Sequence, residues 1–388
     1  MTRPSEDQHI GAGRVTPGPA CVPGHARADG ALPAGRRALA IVLRKARRVA
    51  ALPAAHGGAG RAPGPPARAW AAWLVLLSLA LPAALPAQEA PRLAFPVDCT
   101  LGDSCFLQQF VDRDPGPGAR AFDCGPQSYD GHMGTDIRLA DMEAMARGVA
   151  VLAAADGVVR ALRDGVADGG TAAAPDGQGC GNGVVLRHPG GWETQYCHLM
   201  QGSIAVSRGQ TVAAGTVLGR IGYSGRTEFP HLEFLLRRDG AIVDPFDPGD
   251  PAACATGAEP LWSAPVVPSG GGLLSAGFAD GVPGFDAIKA GAADTGAIPA
   301  QGPALVIWAY VHGGRAGDRL ALRITRADGA EVHAEEVTLE RTQAQLFSAS
   351  GRRTPEAGWP PGLYRGEVRL IRGTRVLDRA EVAVALTP

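Results

Sequence analysis

The chain has 388 residues, enough for two ordinary domains, and 45% of them are hydrophobic. Its 54 glycines and 32 prolines indicate a globular protein with many turns, for which a strand-rich architecture is the natural expectation. With 37 basic and 38 acidic residues the formal net charge is -1, so whole-chain electrostatics give no basis for binding nucleic acid or an anionic surface.

The N-terminal region is typical of an exported protein. An apolar run, AWAAWLVLLSLAL, follows Arg61 and Arg68 and precedes the small-residue sequence PAALPAQEA, which is the order of a secretory signal. We therefore predict a signal peptide over residues 69–87, cleaved after Ala87, with an uncleaved anchor as the alternative. Residues 1–68 are either a disordered leader or the product of a start site placed too far upstream. The mature protein is expected in the periplasm or outside the cell, without a stable membrane span.

Cysteine usage agrees with export. One cysteine, Cys21, lies in the leader, and the mature region holds an even set of six: Cys99, Cys105, Cys124, Cys180, Cys197 and Cys254. An even set in an oxidising compartment predicts disulfides, with buried free thiols as the alternative. Cys180 and Cys197 flank a predicted hairpin and are candidates to bridge it.

Short strands dominate the middle of the chain. Residues 95–130 are rich in Cys, Gly and Pro and predict a disulfide-tied loop region. From Gly148 onward, segments rich in Val, Ile and Leu alternate with glycine-containing turns: VAVLAAADGVVRAL, GNGVVLRHPGGWETQYCHL, QTVAAGTVLGRIGYSG and PHLEFLLRRDGAIVDP. They predict an antiparallel β domain over residues 95–254, with hairpins at Pro189–Gly191 and Asp239–Gly240.

The composition changes again after Cys254. Residues 255–303 are rich in Gly, Ala and Pro and are predicted to be a linker. Residues 304–388 alternate polar and apolar positions with period two and predict a small immunoglobulin-like β-sandwich. Its two histidines, His312 and His333, are isolated and are expected to be surface or strand residues. By analogy with similar folds, this domain is expected to position the rest of the protein or to bind a partner, such as another envelope protein.

Three polar centres lie in the predicted β domain. GHMGTDI places His132 and Asp136 four residues apart across a glycine, and such a pair can converge on one cation. QYCHL ends a strand on His198. In PHLEF, His231 and Glu233 share one face of a strand while Leu232 and Phe234 take the other. Each centre alone is more often a solvated, capping or structural feature, but three within one β domain indicate a single site.

The sequence from about Asp130 to Pro248 resembles the lysostaphin or LytM-type zinc metallopeptidases, which cleave peptide cross-links of bacterial cell walls. The resemblance rests on HxxxD, AAADGVV, GNGVVLRHPGGWETQYCHL, GQTVAAGTVLGRIGYSGRTEFPHLEF and VDP, in that order. It implies an all-β fold, with an antiparallel LytM-type sheet (a duplicated hybrid motif) ahead of the sandwich. Carried over by position, His132 and Asp136 would be metal ligands, and His198 and His231 would be catalytic.

Glu233 departs from the family pattern, because it stands where the family has its third zinc-binding histidine. A glutamate can bind zinc, so the resemblance still implies Zn²⁺, with another divalent cation such as Mn²⁺ as the alternative. The ligands His, Asp and Glu leave a net charge of 0 on Zn²⁺, whereas His, Asp and His leave +1. A less positive centre should acidify bound water less and polarise a carbonyl less.

The expected function is an exported metal-dependent endopeptidase that hydrolyses peptide bonds in peptidoglycan cross-links. Four of the five expected positions are present, and the fifth can bind a metal. One alternative is a catalytically degenerate LytM-type domain that binds the wall or activates another hydrolase, and a second is a purely structural envelope domain. Tyr196 and Tyr223 are candidates to line the walls of a substrate groove, with surface positions as the alternative.

Overall fold

The computed structural model describes residues 89–388 and the backbone of residues 9–10. Apart from His9 and Ile10, the predicted leader lies outside the described residues, as do the predicted signal peptide and Cys21. Strands in the first part are β1 His9–Ile10, β2 Phe106–Gln109, β3 Thr135–Arg138, β4 Ala150–Leu152, β5 Gly157–Arg163, β6 Asn182–Arg187, β7 Trp192–Leu199, β8 Thr211–Val212, β9 Val217–Arg220, β10 His231–Arg238 and β11 Ala241–Val243. Those in the second part are β12 Gly272–Ala279, β13 Ala297–Pro299, β14 Ala304–Gly314, β15 Arg319–Arg326, β16 Glu331–Thr338, β17 Gln343–Arg353, β18 Gly362–Arg372 and β19 Arg375–Thr387.

Helical structure in the described residues is limited to two short α-helices and two 3-10 turns. Helix α1 spans Met142–Ala146 and helix α2 spans Phe285–Ala290, while the 3-10 turns lie at Gly170–Ala173 and Pro189–Gly191. No helix in the described part of the chain is long and apolar enough to cross a membrane. The expectation of a mainly β protein is confirmed.

A large antiparallel sheet forms the first half of the described chain. Its strand order is β2-β3-β10-β7-β6-β5-β8, with β11 paired to β10. Both predicted hairpins are confirmed: the turn at Pro189–Gly191 joins β6 to β7, and Asp239 and Gly240 join β10 to β11. Asp239 and Gly240 have φ of 50° and 85°, the left-handed conformations that a two-residue hairpin turn requires.

One face of this sheet is covered by an apolar core. Leu232 and Phe234 of β10 are fully buried, and Phe234 packs near Trp262 with ring centroids 5.9 Å apart. Tyr196 is also fully buried, and its hydroxyl accepts a hydrogen bond of 2.8 Å from the backbone N–H of Ala154. Neither alternative for Tyr196, a groove wall or a surface position, is therefore correct, because strand alternation in β7 turns this ring into the core.

The three disulfides account for all six cysteines of residues 89–388. They join Cys99 to Cys105, Cys124 to Cys254 and Cys180 to Cys197. The prediction of disulfides is confirmed, including the bridge between Cys180 and Cys197, and the free-thiol alternative is wrong.

The second half of the described chain, together with β1, forms two sheets packed face to face. One has the order β1-β17-β14-β12 and the other β13-β19-β18-β15-β16. Buried residues from both sheets, such as Ile307, Leu322 and Val368, share one core. This arrangement is a β-sandwich, and its immunoglobulin-like type stays a prediction.

Residues 255–303 differ from the predicted linker. Strand β12 pairs with β14 along its length, and β13 pairs with β19. The Gly- and Ala-rich composition favours a linker, but Leu273, Leu274 and Phe278 are buried on the two faces of β12. Buried apolar side chains such as these, and not the overall composition, place the segment in the sheets of the sandwich.

The large sheet and the sandwich contact each other beside β3. Arg138 of β3 is fully buried, and its guanidinium donates to the Tyr310 hydroxyl of β14 at 3.0 Å. The Phe106 ring of β2 lies 5.4 Å from the His312 ring, measured between centroids. The strand that carries Asp136 therefore rests on the sandwich.

Candidate metal centre

Strand register brings the predicted site residues to one place on the face opposite the core. Asp136 of β3 pairs directly with Glu233 of β10, and Glu233 pairs with Cys197 of β7. His231 lies two residues before Glu233 on the same face, and His198 follows Cys197. The turn before β3 adds His132, so all five predicted residues meet at the end of three adjacent strands.

The three imidazole rings share one mode of anchoring. The Nδ1 atoms of His132, His198 and His231 lie 2.8, 2.7 and 3.0 Å from the backbone carbonyl oxygens of Phe110, Ser224 and Phe229. Because a carbonyl oxygen can only accept a hydrogen bond, each Nδ1 carries the hydrogen and donates. In the neutral ring, each Nε2 is then left with a lone pair directed at the site, the arrangement that orients histidine for metal binding or proton transfer.

One histidine and two carboxylates form a cluster of metal-ligand type. His132 Nε2 lies 3.2 Å from Asp136 Oδ1 and 3.8 Å from Glu233 Oε1. One ligand atom from each of the three residues falls within 4.8 Å of the others. Bonds of about 2.0–2.2 Å in a tetrahedral zinc site separate neighbouring ligand atoms by roughly 3.3–3.6 Å. The donor set and its spacing therefore fit a divalent cation.

Gly134 makes room for this cluster. A Cβ atom at this position would lie 2.9 Å from Glu233 Cγ and 3.0 Å from the carbonyl oxygen of Phe234. Contacts that short are not tolerated with backbone, so a side chain here would push β3 and β10 apart. The close approach of the Glu233 side chain thus explains why the second glycine of GHMGTDI, Gly134, carries no side chain.

His198 and His231 lie beside the cluster. His231 Nε2 is 3.4 Å from Asp136 Oδ1, and His198 Nε2 is 3.5 Å from Glu233 Oε2. The two rings have centroids 4.6 Å apart. Each ring therefore faces a carboxylate of the cluster and the space between them, where a small molecule bound at the cluster would be reached by both Nε2 atoms.

Neighbouring charges shift the pKa values of three of these groups. Burial of the His132 ring opposes protonation, but the adjacent Asp136 and Glu233 carboxylates outweigh it and raise the pKa of His132 to about 9. Burial likewise opposes ionisation of Asp136, yet His132 and His231 hold the pKa of this carboxyl well below its usual range. The pKa of Glu233 is also lowered, against burial, by its hydrogen bond and charge interaction with His198. The two ionised carboxylates favour a cation between them.

A cavity of about 190 Å³ lies next to His231. The Phe229 ring separates the two, since it contacts the His231 ring at 4.6 Å and the Arg138 guanidinium at 4.4 Å. Tyr223 lines this cavity and Lys289 of α2 contributes to its wall. Tyr223 thus lines a cavity that Phe229 separates from the cluster, and its place in a substrate groove stays a prediction. Lys289 could not be assigned from the sequence because it lies in the predicted linker.

Thr227 is a further residue of the site that sequence reasoning missed. Its hydroxyl donates to the carbonyl oxygen of Phe229 at 2.7 Å, and its oxygen lies 3.0 Å from His231 Nδ1. In the sequence, Thr227 is marked only by its position four residues before His231. Threonine is common in loops, so this position did not identify it as a site residue.

Comparison with known proteins matches the segment that carries the site. Residues 130–245 match the model of Peptidase family M23. The chain is 43% identical over 68 residues to the DD-carboxypeptidase/endopeptidase Mpg of Neisseria meningitidis serogroup B, a match covering 17% of this chain and 15% of that protein. It is 41% identical over 68 residues to the protease LasA of Pseudomonas aeruginosa, covering 16% of each. It is 39% identical over 72 residues to the cell division protein DipM of Caulobacter vibrioides, covering 19% of this chain and 12% of that protein. The chain thus spans less than a fifth of the length of these curated relatives.

Two solved structures are also similar to part of the chain. A zinc-containing peptidase from Vibrio cholerae is 26% identical, with a TM-score of 0.27, over 40% of this chain and 39% of that one. The catalytic domain of lysostaphin from Staphylococcus simulans is 23% identical, with a TM-score of 0.23, over 34% of this chain and 85% of that one. These TM-scores are too low for the structural likeness to indicate a function.

Proposed function

Because residues 130–245 form a domain of peptidase family M23, we propose that the protein is a metal-dependent endopeptidase that hydrolyses peptide bonds in peptidoglycan cross-links. The observation that carries this proposal is the meeting of His132, Asp136 and Glu233 within 4.8 Å, beside two further anchored histidines. The names of the relatives Mpg and LasA, an endopeptidase and a protease, support the reaction class.

His132, Asp136 and Glu233 would hold the ion, with Zn²⁺ expected and Mn²⁺ as the alternative. When bound, the ion would supply Lewis acidity toward a scissile carbonyl and toward water. With His132 neutral, the two carboxylates neutralise a divalent cation completely. Oxygen ligands from two carboxylates also suit harder ions than zinc, which is why Mn²⁺ remains open.

His231 and His198 would carry the proton transfers. His231 has its Nδ1 hydrogen fixed by Phe229 and Thr227, so its Nε2 lone pair can accept a proton from an attacking water. The same Nε2–H can then protonate the leaving amine. His198 would donate from Nε2, when that nitrogen carries a hydrogen, to the oxygen that gains negative charge during attack. Both rings are almost fully buried, which limits competition from bulk water.

The site of action would be the periplasm or the cell exterior. The signal-like residues 69–87 and the three disulfides support export, since disulfides persist in oxidising compartments. Peptidoglycan would be the substrate there. Binding of another envelope protein through the sandwich remains a prediction. We propose no nucleic-acid partner.

Glu233 favours one alternative function, a catalytically degenerate domain that binds the wall or activates another hydrolase. A full complement of two carboxylates leaves a bound Zn²⁺ with no net charge, and this weakens its action on water and carbonyls. In this alternative the carboxylate would have switched off hydrolysis while the substrate groove remained.

Digestion of purified peptidoglycan by the full chain separates the two functions. We expect soluble fragments whose mass spectra show new amino and carboxyl termini within the cross-link, and we expect a chelator to stop their release. Wall binding without fragments, together with hydrolysis gained by Glu233→His, would contradict the proposal and support the degenerate alternative. The Glu233→His variant is the matched probe because it restores the family's histidine at the same position.

A further inference from the structure

His198 does not lie where strand alternation would place it. On β7, Cys197 pairs with Glu233, so the next residue should share the core face with Tyr196. The pairing of β7 with β6 is irregular at this point: Leu199 pairs with Asn182 and Tyr196 with Val184, which leaves one extra residue on β7. An extra residue of this kind is a β-bulge, which re-aims a side chain.

The backbone of His198 is in the left-handed conformation, with φ of 64°. This region is unfavourable for a residue with a Cβ atom and persists only where neighbouring structure enforces it. The bulge and the positive φ together turn the imidazole from the core side to the site, where Nε2 reaches 3.5 Å from Glu233 Oε2.

The residues that enforce this conformation meet at one disulfide. The His198 N–H donates to the carbonyl oxygen of Cys180 at 2.8 Å, and Cys180 is bonded covalently to Cys197, the residue before His198. The amide of Gln195 lies 3.0 Å from Cys197 Sγ, and Arg237 donates to the other end of the same amide at 2.6 Å. Cys197 is fully buried.

The side chain of His198 is held by the same assembly. Its Nδ1 donates to the carbonyl oxygen of Ser224, and Gly181, next to Cys180, packs directly against that carbonyl. Gly181 has φ of 61°, and a Cβ there would lie 2.3 Å from the Ser224 oxygen. The disulfide therefore joins the two chain segments that set the backbone and the ring of His198.

We propose that the Cys180–Cys197 disulfide is a positioning element, which holds His198 in its left-handed conformation and so turns its imidazole toward the metal-binding cluster. This inference rests on the proposed peptidase function and adds a requirement to it. Cys197 pairs across the sheet with Glu233, but the disulfide itself supplies no ligand and no proton-transfer group, and it acts through His198.

The test compares two disulfides that match in burial. Cys180→Ala/Cys197→Ala and Cys99→Ala/Cys105→Ala each remove one fully buried and one partly buried cysteine, and the bridges span 17 and 6 residues. In the full chain we expect the first variant to lower kcat about tenfold or more, because small misplacement of a reacting group is costly. KM and zinc content should stay close to wild type, since the ligands are untouched. The second variant should keep its kcat.

A glycine pair gives the same test with the disulfide intact. Gly181→Ala should lower kcat as the first variant does, whereas Gly177→Ala, with φ of 72° and open space around it, should not. This pair decides the matter if the double cysteine variant fails to fold. Unchanged kcat in both Cys180→Ala/Cys197→Ala and Gly181→Ala, or a parallel fall in the Cys99→Ala/Cys105→Ala control, would overturn the proposal.

Failure of the proposed function would be recognised separately. If the wild-type chain releases no fragments from peptidoglycan, the peptidase proposal fails whatever the variants do. The positioning claim is then read from the histidine ring signals in a nitrogen-15 NMR spectrum. We expect the His198 signal to shift or broaden in Cys180→Ala/Cys197→Ala and to be unchanged in the Cys99→Ala/Cys105→Ala control. An unchanged His198 signal in the first variant would overturn the positioning claim on its own.

Discussion

Buried histidines occur in both halves of the molecule, and their surroundings separate a reactive group from a packing group. In the large sheet, His132, His198 and His231 each donate from Nδ1 to a backbone carbonyl and direct Nε2 at a carboxylate. In the sandwich, His312 of β14 is fully buried beside Phe106, and neither of its ring nitrogens has a hydrogen-bond partner among the described residues.

The charge environments are opposite as well. Two carboxylates raise the pKa of His132 to about 9, whereas burial and the neighbouring Arg138 lower the pKa of His312 to about 3. The same residue type is therefore cationic in one place and neutral in the other when no metal is bound. Burial alone does not mark a functional histidine, but burial with an anchored Nδ1 and a facing carboxylate does.

The largest expected effect comes from removing a ligand histidine. His132→Ala should lower cleavage of peptidoglycan on the order of a thousandfold, because loss of the ion removes several kcal/mol of transition-state stabilisation. The rate of fragment release measures this, alongside metal content by mass spectrometry.

His333→Ala is the matched control for His132→Ala. His333 is a buried histidine of the sandwich that bonds the Ser350 hydroxyl, and it has one carboxylate, Glu335, at 3.8 Å instead of the two carboxylates of the cluster. At temperatures below the melting temperature of the His333→Ala variant, this variant should cleave peptidoglycan at nearly the wild-type rate. An equal fall in the cleavage rate of the two variants would mean that both histidines act by supporting the fold. The difference between their surroundings would then say nothing about function.

A smaller effect is expected from the residue that supports His231. Thr227→Val keeps the shape of the side chain but removes the oxygen 3.0 Å from His231 Nδ1. Loss of an outer hydrogen-bond partner of a site histidine typically lowers metal affinity or activity about 10–100-fold. Because Phe229 retains its own bond to the ring, we expect a fall in kcat at the lower end, about tenfold. Thr171→Val is the control, because its hydroxyl donates to the Thr227 carbonyl without touching the ring. Unchanged kcat in Thr227→Val would show that Phe229 alone fixes His231.

The smallest effect concerns stability rather than activity. Since the pKa of His312 is about 3 in the folded protein against 6.5 for an unperturbed histidine, the unfolded chain binds the extra proton between these values. The contribution of His312 to stability is therefore present above about pH 6.5 and is lost, at up to about 1.4 kcal/mol per pH unit, as the pH falls.

His312→Phe tests that prediction. The variant should lose this part of the acid sensitivity and gain about 1 kcal/mol at pH 7, because an unsatisfied polar group leaves the core. Urea unfolding at pH 5 and pH 7 measures both effects. A pH dependence identical to wild type would show that His312 is not the group responsible.

Sequence pattern predicted the parts of the site that depend on local spacing. Alternation in PHLEF correctly separated His231 and Glu233 from Leu232 and Phe234, which are buried in the core. The spacing in GHMGTDI correctly indicated a turn that brings His132 onto Asp136. Both features need only the period of a strand or the length of a short loop.

The features that sequence could not supply depend on tertiary contacts. Strict alternation would place His198 beside Tyr196 in the core, and only the bulge in β7 turns it to the site. Thr227 acts through a loop whose path no local rule fixes. Strand β12 escaped detection because glycine and alanine dominate its composition, while its place in the sheet is decided by pairing with β14.

The central claim is that Glu233 completes a metal centre with His132 and Asp136. Zinc titration of the metal-free full chain, compared between wild type and Glu233→Gln, tests it most directly, since glutamine keeps the size of the side chain and removes its charge. We predict one zinc per wild-type chain and an affinity lowered more than about a hundredfold in Glu233→Gln, because an ionised ligand is lost. Equal zinc affinity in the two proteins, or no zinc bound by either, would contradict the assignment of Glu233 as a ligand.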